Sequence, residues 1–488
     1  MPELRFISGV FVATGLLLAL APLLRLPPSA LLFAGGLASI LLPGLLPPVR
    51  VEPRAVLELM LPPLLYAGTV ALSLDLLRHA LVRGLLGGAV LVLSIILSVA
   101  LTAHLLLPGL DPTACLLLGV TLAIGDTRLV QETGQDRHLP RLLTDAFAGQ
   151  AVSTRLVVVT LFLLAQAAIG GPPPSLGQAL LRFAIDLLVG GAIGLAVGLG
   201  AVGLRRQVRP ATAEVAITVA TPFLAAQLAA VAGVSVAEVI VAAALTVSAC
   251  AVDRSTGEAI SSAEARVVVR HVWSAIAALL SAALFFLMGR ALPEALVGLG
   301  RYGWGHLGLV AMALLALVLA LQFLLALLIL MLPGTKPAPG ADGRPAGRVR
   351  TAVVAAWSGH RSAIAFALAL SIPGAADGRP FPERDLILAL TALVIVASGL
   401  LQGTTLPRVI AWAGLGGAAE EKREQHLARA AVMAAQGHAP NPEAGAAKGR
   451  QALARLRKED AIGDTALRAA DQAITLQAHA EQVSGKSA

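Results

Sequence analysis

The chain has 488 residues, of which 57% are hydrophobic and only 14% charged, and its mean hydropathy is +0.81. Soluble domains carry about 25% charged residues, so a soluble protein of this composition could not cover its core. The same apolar composition excludes a disordered chain, a collagen-like fibre and a coiled coil. The formal net charge is +8, but the basic residues are scattered over short loops rather than gathered on one face, which argues against a nucleic-acid surface.

Long apolar runs separated by short polar breaks fill residues 1–412. About 20 apolar residues span the hydrocarbon of a bilayer as a helix, so we expect an all-α polytopic membrane protein. The first run could belong to a signal peptide, but its length and the similar runs after it favour a spanning helix. The count predicts about thirteen transmembrane helices, at residues 6–24, 29–47, 55–76, 84–107, 112–131, 142–168, 179–204, 211–231, 235–252, 269–292, 304–332, 350–372 and 384–412.

The distribution of Lys and Arg predicts the orientation of the chain. These residues are concentrated in the loops after odd-numbered runs, which the positive-inside rule places in the cytoplasm. With an odd number of spans, the N-terminus lies outside and residues 413–488 form a cytoplasmic, Ala-rich charged tail. A bacterial inner membrane fits such a chain. Cys115 and Cys250 are too few for a disulfide framework or a metal cluster, and no cofactor is expected.

The seventh run repeats a small residue at every fourth position, at Gly190, Gly194 and Gly198. On a spanning helix this spacing makes a groove that allows a neighbouring backbone to approach closely. We therefore expect a packing role for these glycines.

Polar and ionisable residues inside the runs are the candidates for function, because a charge in hydrocarbon costs about 2.5–3.5 kcal/mol or more. Glu238, in the first turn of the ninth run, is best interpreted as an interfacial carboxylate. For the other charges, a structural ion pair and a transport role are equally open. The candidates are Gly125, Asp126 and Thr127 in the fifth run, Gln150, Ser153, Thr154 and Arg155 in the sixth, and Gly359, His360 and Arg361 in the twelfth.

Two of these runs are interrupted beside a charge. Gly125 precedes Asp126, and Gly359 precedes His360 and Arg361. Non-helical backbone at membrane depth persists only where it is buried in protein or lines a cavity. Interruptions at corresponding positions of two halves indicate the midplane site of a secondary transporter. The fifth and twelfth runs hold corresponding positions if residues 6–168 and 211–412 form two six-helix halves.

Five motifs in a fixed order carry a resemblance to a known family. They are Leu61-Pro62-Pro63-Leu64-Leu65-Tyr66 with Leu74-Asp75, Gly125-Asp126, Gly149-Gln150, Trp357-Ser358-Gly359-His360-Arg361-Ser362-Ala363, and Leu401-Gln402-Gly403-Thr404-Thr405-Leu406-Pro407. Over residues 1–412 the chain resembles the electroneutral sodium/proton exchangers of the monovalent cation:proton antiporter superfamily. The resemblance implies an inverted-repeat fold with two broken crossing helices, a homodimer, and an elevator-like movement. It also implies that a monovalent cation and a proton compete for a midplane carboxylate.

The chain departs from this family pattern at the site itself. Asp126 is kept, but Arg155 stands where the family has its proton-exchanging Asp, and Gln150 replaces a Glu. Arg361 matches the arginine that usually pairs with that Glu, so its expected partner is missing. Ala67 occupies a position where many members carry another Glu.

The exchange of an acid for Arg155 changes the charge balance around Asp126. At an effective dielectric constant of about 20, two opposite unit charges 4 Å apart interact by about 4 kcal/mol. A cation would have to displace an attached arginine, which is permanently charged. We therefore expect weakened cation/proton exchange.

Three functions remain open from the sequence. The first is a monovalent cation:proton antiporter, for sodium or potassium, in which Asp126 titrates while Ser153 and Thr154 supply oxygen ligands. The second is a transport-inactive structural or regulatory member of the family. The third, an anion carrier using Arg155 and Arg361, follows from charge alone. An enzyme is least favoured, because no catalytic or metal-ligand spacing is found at membrane depth.

Overall fold

The computed structural model describes most of the chain. The described ranges are 2–24, 26–41, 52–70, 74–126, 140–169, 175–208, 210–250, 263–332, 338, 340, 346–376, 379–415, 418–437, 442–459, 461–463, 466–467, 469–474 and 476–477. Within them the protein is helical, apart from two pairs of very short strands and an isolated bridge. Thr127 lies outside the described residues.

Six helices of at least ten residues, together with the single turn Pro53–Ala55, form the described first part of the fold. They are α1 (Pro2–Leu24), α2 (Pro28–Ala38), α3 (Leu61–Val70), α4 (Leu74–Leu106), α5 (Pro112–Ala123) and α6 (Arg141–Ala167). Helix α5 begins where the Asp111 side chain accepts the Thr113 N–H at 2.8 Å, with Pro112 at the first position, where its missing N–H costs nothing. Helix α3 is preceded by a π-helical turn, Val56–Met60.

The middle part contains a long helix interrupted by a π-helical turn. Its first segment begins at a capping box, in which Ser175 and Gln178 satisfy each other's backbone N–H groups. The turn, Asp186–Gly190, leads directly into the second segment. The helices here are α7 (Leu176–Ile185), α8 (Gly191–Gln207), α9 (Ala211–Ala232), α10 (Val236–Ala249), α11 (Ala263–Val297) and α12 (Trp304–Met331).

The described parts of the last two predicted transmembrane runs and of the tail also contain helices. After α13 (Arg348–Ser358) and α14 (Ala363–Leu370), helix α15 (Glu383–Ala413) completes the apolar region. In the tail, α16 (Ala418–Gln436) packs against α17 (Pro442–Lys458) around a small apolar core of its own.

The prediction of a polytopic helical membrane protein is confirmed. Eight helical stretches among the described residues are long and apolar enough to cross a membrane. Shorter apolar helices, Pro28–Leu41, Pro112–Ala123 and Val236–Ala249, accompany them. Each of the thirteen predicted runs contains described helix, while the total of thirteen spans stays a prediction.

The two predicted interruptions cross each other. Strand β1 (Gly125–Asp126) follows α5, and strand β2 (His360–Arg361) separates α13 from α14. The strands are antiparallel, with Gly125 opposite Arg361 and Asp126 opposite His360. The expectation of two broken, crossing helices is therefore confirmed.

Glycines set the closest helix contacts. A Cβ on Gly36 of α2 would overlap the Phe286 carbonyl oxygen of α11, and a Cβ on Gly289 would overlap that of Phe33. Gly194 and Gly198 likewise press α8 against α10. The predicted packing role of the seventh-run glycines is confirmed.

The helices form two groups, and the crossing lies in one of them. The crossing group contains α4, α5, α6 and α12 to α15, whereas the second group contains α1 to α3 and α8 to α11. The groups meet at several places, among them where α6 contacts α10, where α11 contacts α14 and α15, and where Arg155 of α6 reaches Gly68 of α3. A movement of one group relative to the other would therefore change the contacts between these helices.

Candidate functional site at the helix crossing

The crossing brings interrupted helix ends together inside the crossing group. Helix α5 ends at Ala123 because Ile124 is extended, and α13 ends at Ser358. A helix C-terminus carries partial negative charge on its unpaired carbonyl groups, whereas a helix N-terminus carries partial positive charge. The crossing therefore presents fixed partial charges of both signs, and any ionisable side chain placed there acts against this background.

Arg361 satisfies the carbonyl groups at the crossing. Its side chain is buried, with 1% exposure, and Nη1 donates to the Leu122 carbonyl oxygen at 2.5 Å. Nη2 donates to the Gly359 carbonyl oxygen at 2.7 Å. The Glu expected to pair with this arginine is Gln150 in this chain, and Arg361 uses backbone carbonyls at the ends of α5 and α13 instead. A cation at a helix C-terminus is stabilised by the helix dipole.

A set of neutral polar side chains supports the break between α13 and α14. Gln402 of α15 donates to the Trp357 carbonyl oxygen at 3.0 Å and accepts a hydrogen bond from Ser398. Ser398 in turn accepts the backbone N–H of Arg361 at 3.0 Å. Gln322 of α12 donates to the Gly359 carbonyl oxygen at 3.2 Å. These bonds satisfy backbone groups that the broken helix cannot pair internally.

Gln322, Ser398 and Gln402 were not among the site residues predicted from the sequence. Gln402 lies in the last of the five motifs, so the motif contained the signal. Gln322 is a lone amide in a strongly apolar run, which is itself a signal, since polar side chains in hydrocarbon need a partner.

Arg155 connects the crossing group to the second helix group. The guanidinium is buried, and Nη1 donates to the Gly68 carbonyl oxygen of α3 at 2.8 Å. Gly68 leaves the space for it, because a Cβ there would overlap the guanidinium. The backbone of Asp126 is fixed by its pairing with His360, and α6 contacts β1. The side chain of Asp126 lies outside the described part of the chain, so its pairing with Arg155 stays a prediction.

The hydroxyl groups of the sixth run occupy buried positions on α6. Ser153 donates to the Gln150 carbonyl oxygen at 3.0 Å and packs against Gly88 of α4. Thr154 is buried beside it.

The backbone of His360 belongs to β2, whereas its side chain lies outside the described part of the chain. The structure thus brings together the backbones of Gly125, Asp126, His360 and Arg361.

Glu238 is placed differently from the expectation. It lies in the first turn of α10 as predicted, but its side chain is buried inside the protein, with 1% exposure, rather than interfacial. One contact that contributes to this burial is Gly190, the last residue of the π-helical turn before α8, which lies close to the Glu238 side chain. Depth within the protein could not be deduced from position in an apolar run.

Comparison with known proteins gives a consistent result. A family model described as "Sodium/hydrogen exchanger, transmembrane" matches residues 9–412. An uncharacterized Na+/H+ exchanger of Mycobacterium tuberculosis is 28% identical over 303 residues, which are 61% of this chain and 54% of that protein. The Na+/H+ antiporter NhaP of Pseudomonas aeruginosa is 30% identical over 272 residues, 55% of this chain and 58% of that protein. The chain spans little more than half the length of these relatives.

A solved structure shares the fold. The sodium proton antiporter MjNhaP1 from Methanocaldococcus jannaschii, at pH 8, superposes with a TM-score of 0.61 and 15% sequence identity. The match covers 84% of this chain and 99% of that one. At 15% sequence identity this similarity concerns the fold alone. The two relatives and the solved structure are all named as transporters rather than enzymes.

Proposed function

Because the family model covers residues 9–412, the chain belongs to the sodium/hydrogen exchanger family, and we propose that it exchanges a monovalent cation, sodium or potassium, for protons across a membrane. The observation that carries this proposal is the antiparallel pairing of Asp126 with His360. This pairing supports the proposal because secondary transporters of such folds bind their ions where two interrupted helices meet, and Asp126 is the acid that this chain retains there.

In this proposal Asp126 binds either the cation or the proton. Ser153 and Thr154, buried on the neighbouring α6, supply hydroxyl oxygens, and Arg155 acts as an internal competitor for the carboxylate. Arg155 is also held by the hydrogen bond that its Nη1 donates to the Gly68 carbonyl oxygen of α3, which must be kept or broken when the guanidinium moves. The cost of detaching Arg155 lowers the rate of exchange relative to a site with two acids.

The division into two helix groups supports alternating access as the transport mechanism. The crossing group carries the ion, and the second group, with α1 to α3 and α8 to α11, forms the fixed part and the homodimer. Movement of the crossing group breaks the contacts between α6 and α3 and those between α6 and α10. The N-terminus lies outside, the tail lies in the cytoplasm, and a bacterial inner membrane is the expected location.

A second candidate is a transport-inactive member of the family. The observation that favours it is the buried Arg155 itself, which adds a permanent positive charge at the position of a family acid. In this case Arg155 and Arg361 hold the crossing together and no ion exchange occurs.

Transport in reconstituted vesicles separates the two candidates. Proteoliposomes with an imposed pH gradient receive sodium or potassium salts, and a pH-sensitive dye reports dissipation of the gradient. For an antiporter, the unmodified protein dissipates the gradient and Asp126→Asn does not. For the inactive member, the unmodified protein and Asp126→Asn are indistinguishable from empty vesicles.

A further inference from the structure

A second group of buried oxygen-bearing side chains lies away from the helix crossing. Glu238, in the first turn of α10, accepts a hydrogen bond from the Thr160 hydroxyl group of α6. The Thr160 oxygen also lies 3.4 Å from the hydroxyl oxygen of Ser235, the residue before α10. Thr160 follows Arg155 by five residues, a rise of about 7.5 Å along the helix, and faces another direction. All three members of this group, which we call the Glu238 cluster, are buried.

One oxygen of Glu238 lacks a hydrogen-bond partner within the described part of the chain. Oε1 accepts the Thr160 hydrogen bond, whereas the buried Oε2 has no hydrogen-bond partner among the described residues. If the carboxylate is ionised, Oε2 lacks a donor, and if Oε2 is protonated, its O–H lacks an acceptor. A buried polar group left in this condition costs about 1–3 kcal/mol, and more when it is charged. A ligand that brings positive charge to Oε2 would remove this cost.

The neighbouring acid is already neutralised. Asp186, buried in the π-helical turn, forms an ion pair with Arg182 at 3.2 Å. Its other oxygen accepts the Ser235 N–H at 3.0 Å. When Glu238 is ionised, its negative charge is therefore compensated neither by Arg182, which pairs with Asp186, nor by Asp186, which is itself an acid. The N-terminus of α10 favours the ionised form of a carboxylate in its first turn.

We propose that Glu238, Thr160 and Ser235 form a second binding site, for one dehydrated monovalent cation such as sodium or potassium. Carboxylate and hydroxyl oxygens are the ligands that hard cations prefer. The charge balance favours a monovalent ion. The neighbouring carboxylate, Asp186, is already paired with Arg182, so Glu238 is left as a single negative charge for the ion to neutralise. Coordination at Oε2 supplies the partner that this oxygen lacks.

The proposed site connects the two helix groups. Thr160 belongs to α6 in the crossing group, whereas Ser235 and Glu238 belong to the second group. A cation held between them stabilises the arrangement seen here and leaves when the groups slide apart. Occupancy therefore depends on the conformation of the protein, and it does not depend on ion exchange at Asp126.

Equilibrium binding tests the site without a transport assay. Purified full-length protein in detergent is incubated with radioactive sodium in a choline chloride buffer, and bound sodium is counted. An Asp126→Asn background removes the acid at the crossing, and we expect this variant to keep one saturable sodium site. Adding Glu238→Gln weakens that site at least tenfold. Adding Glu294→Gln, which changes an exposed carboxylate on α11, leaves it unchanged.

Milder variants separate binding from folding. Thr160→Val removes one ligand oxygen at nearly constant volume and weakens sodium binding, whereas Thr160→Ser retains it. Sodium also raises the melting temperature of Asp126→Asn, and Thr160→Val reduces this rise. The proposal is overturned if Asp126→Asn binds no sodium, or if Glu238→Gln and Thr160→Val bind it as well as their background does.

Discussion

Nη1 of Arg361 lies 2.5 Å from the carbonyl oxygen of Leu122, so one side chain joins the two interrupted helices at their crossing. Replacing Arg361 with Met leaves the buried Leu122 and Gly359 carbonyl groups without these charged donors. Hydrogen bonds to charged groups contribute about 1.5–3 kcal/mol each, so we expect a marked loss of thermal stability in detergent. Arg361→Lys recovers only part of it, because one ammonium group lacks the two-pronged geometry of guanidinium. If Arg361→Met and Arg361→Lys melt at the same temperature, the charged hydrogen bonds of Arg361 do not stabilise the crossing.

The amide of Gln402 holds the end of α13. Gln402→Leu keeps the size of this buried side chain but leaves the Trp357 carbonyl oxygen without its donor at 3.0 Å. An unsatisfied buried group costs about 1–3 kcal/mol, and we expect the melting temperature to fall accordingly. Thr404→Val, an exposed change on the same helix, is the matched control and leaves it nearly unaltered. Equal effects of the two changes would show that the amide has no special role.

The sequence predicted the positions of the two helix breaks but not the partners that support them. Gly125 and Gly359 each stand beside a charge within an apolar run, a local pattern that indicates interrupted helix. The partners of Arg361 could not be deduced, since Leu122 lies more than two hundred residues away and offers only its backbone. Which carbonyl group a side chain reaches depends on tertiary packing.

Burial depth was the second quantity that the sequence could not supply. Glu238 occupies the first turn of its helix, a position that usually lies near the membrane surface. Here α10 is only 14 residues long. The π-helical turn packs tightly against it through Gly190, and α8 does so through Gly194 and Gly198. The glycine spacing predicted this close packing, but the identity of the neighbouring helix required the fold.

Helices α2 and α11 approach each other closely because glycines stand at their contact points. A Cβ on Gly289 would overlap the Phe33 carbonyl oxygen, which belongs to backbone and cannot move aside cheaply. We expect Gly289→Ala to lower the melting temperature by several degrees, since overpacking costs about 1–3 kcal/mol. Gly15→Ala on α1, where nothing lies within 4 Å, is the control and leaves stability unchanged or slightly raised. Equal stability of the two variants would contradict the close contact.

Gly68 makes room for the Arg155 guanidinium. Gly68→Ala places a methyl group where the guanidinium lies, so the 2.8 Å hydrogen bond to the Gly68 carbonyl oxygen must lengthen or break. We expect lower thermal stability than for Gly200→Ala, which adds a methyl group in open space on α8. Arg155→Met removes the guanidinium and its hydrogen bond to Gly68. In this background the methyl group added by Gly68→Ala no longer disturbs them, so we expect Gly68→Ala to lower the melting temperature less than it does in the unmodified protein. An unchanged penalty there would show that the cost does not come from Arg155.

Arg155→Asp restores an acid at the position where the family carries one. It removes a buried permanent cation and leaves two carboxylates near the crossing, so a transported cation no longer competes with a tethered one. We expect sodium- or potassium-driven dissipation of a pH gradient in vesicles to become at least tenfold faster than in the unmodified protein. Arg155→Gln removes the charge without adding an acid and should give an intermediate rate. If the unmodified protein is already as fast as Arg155→Asp, the guanidinium does not hinder exchange.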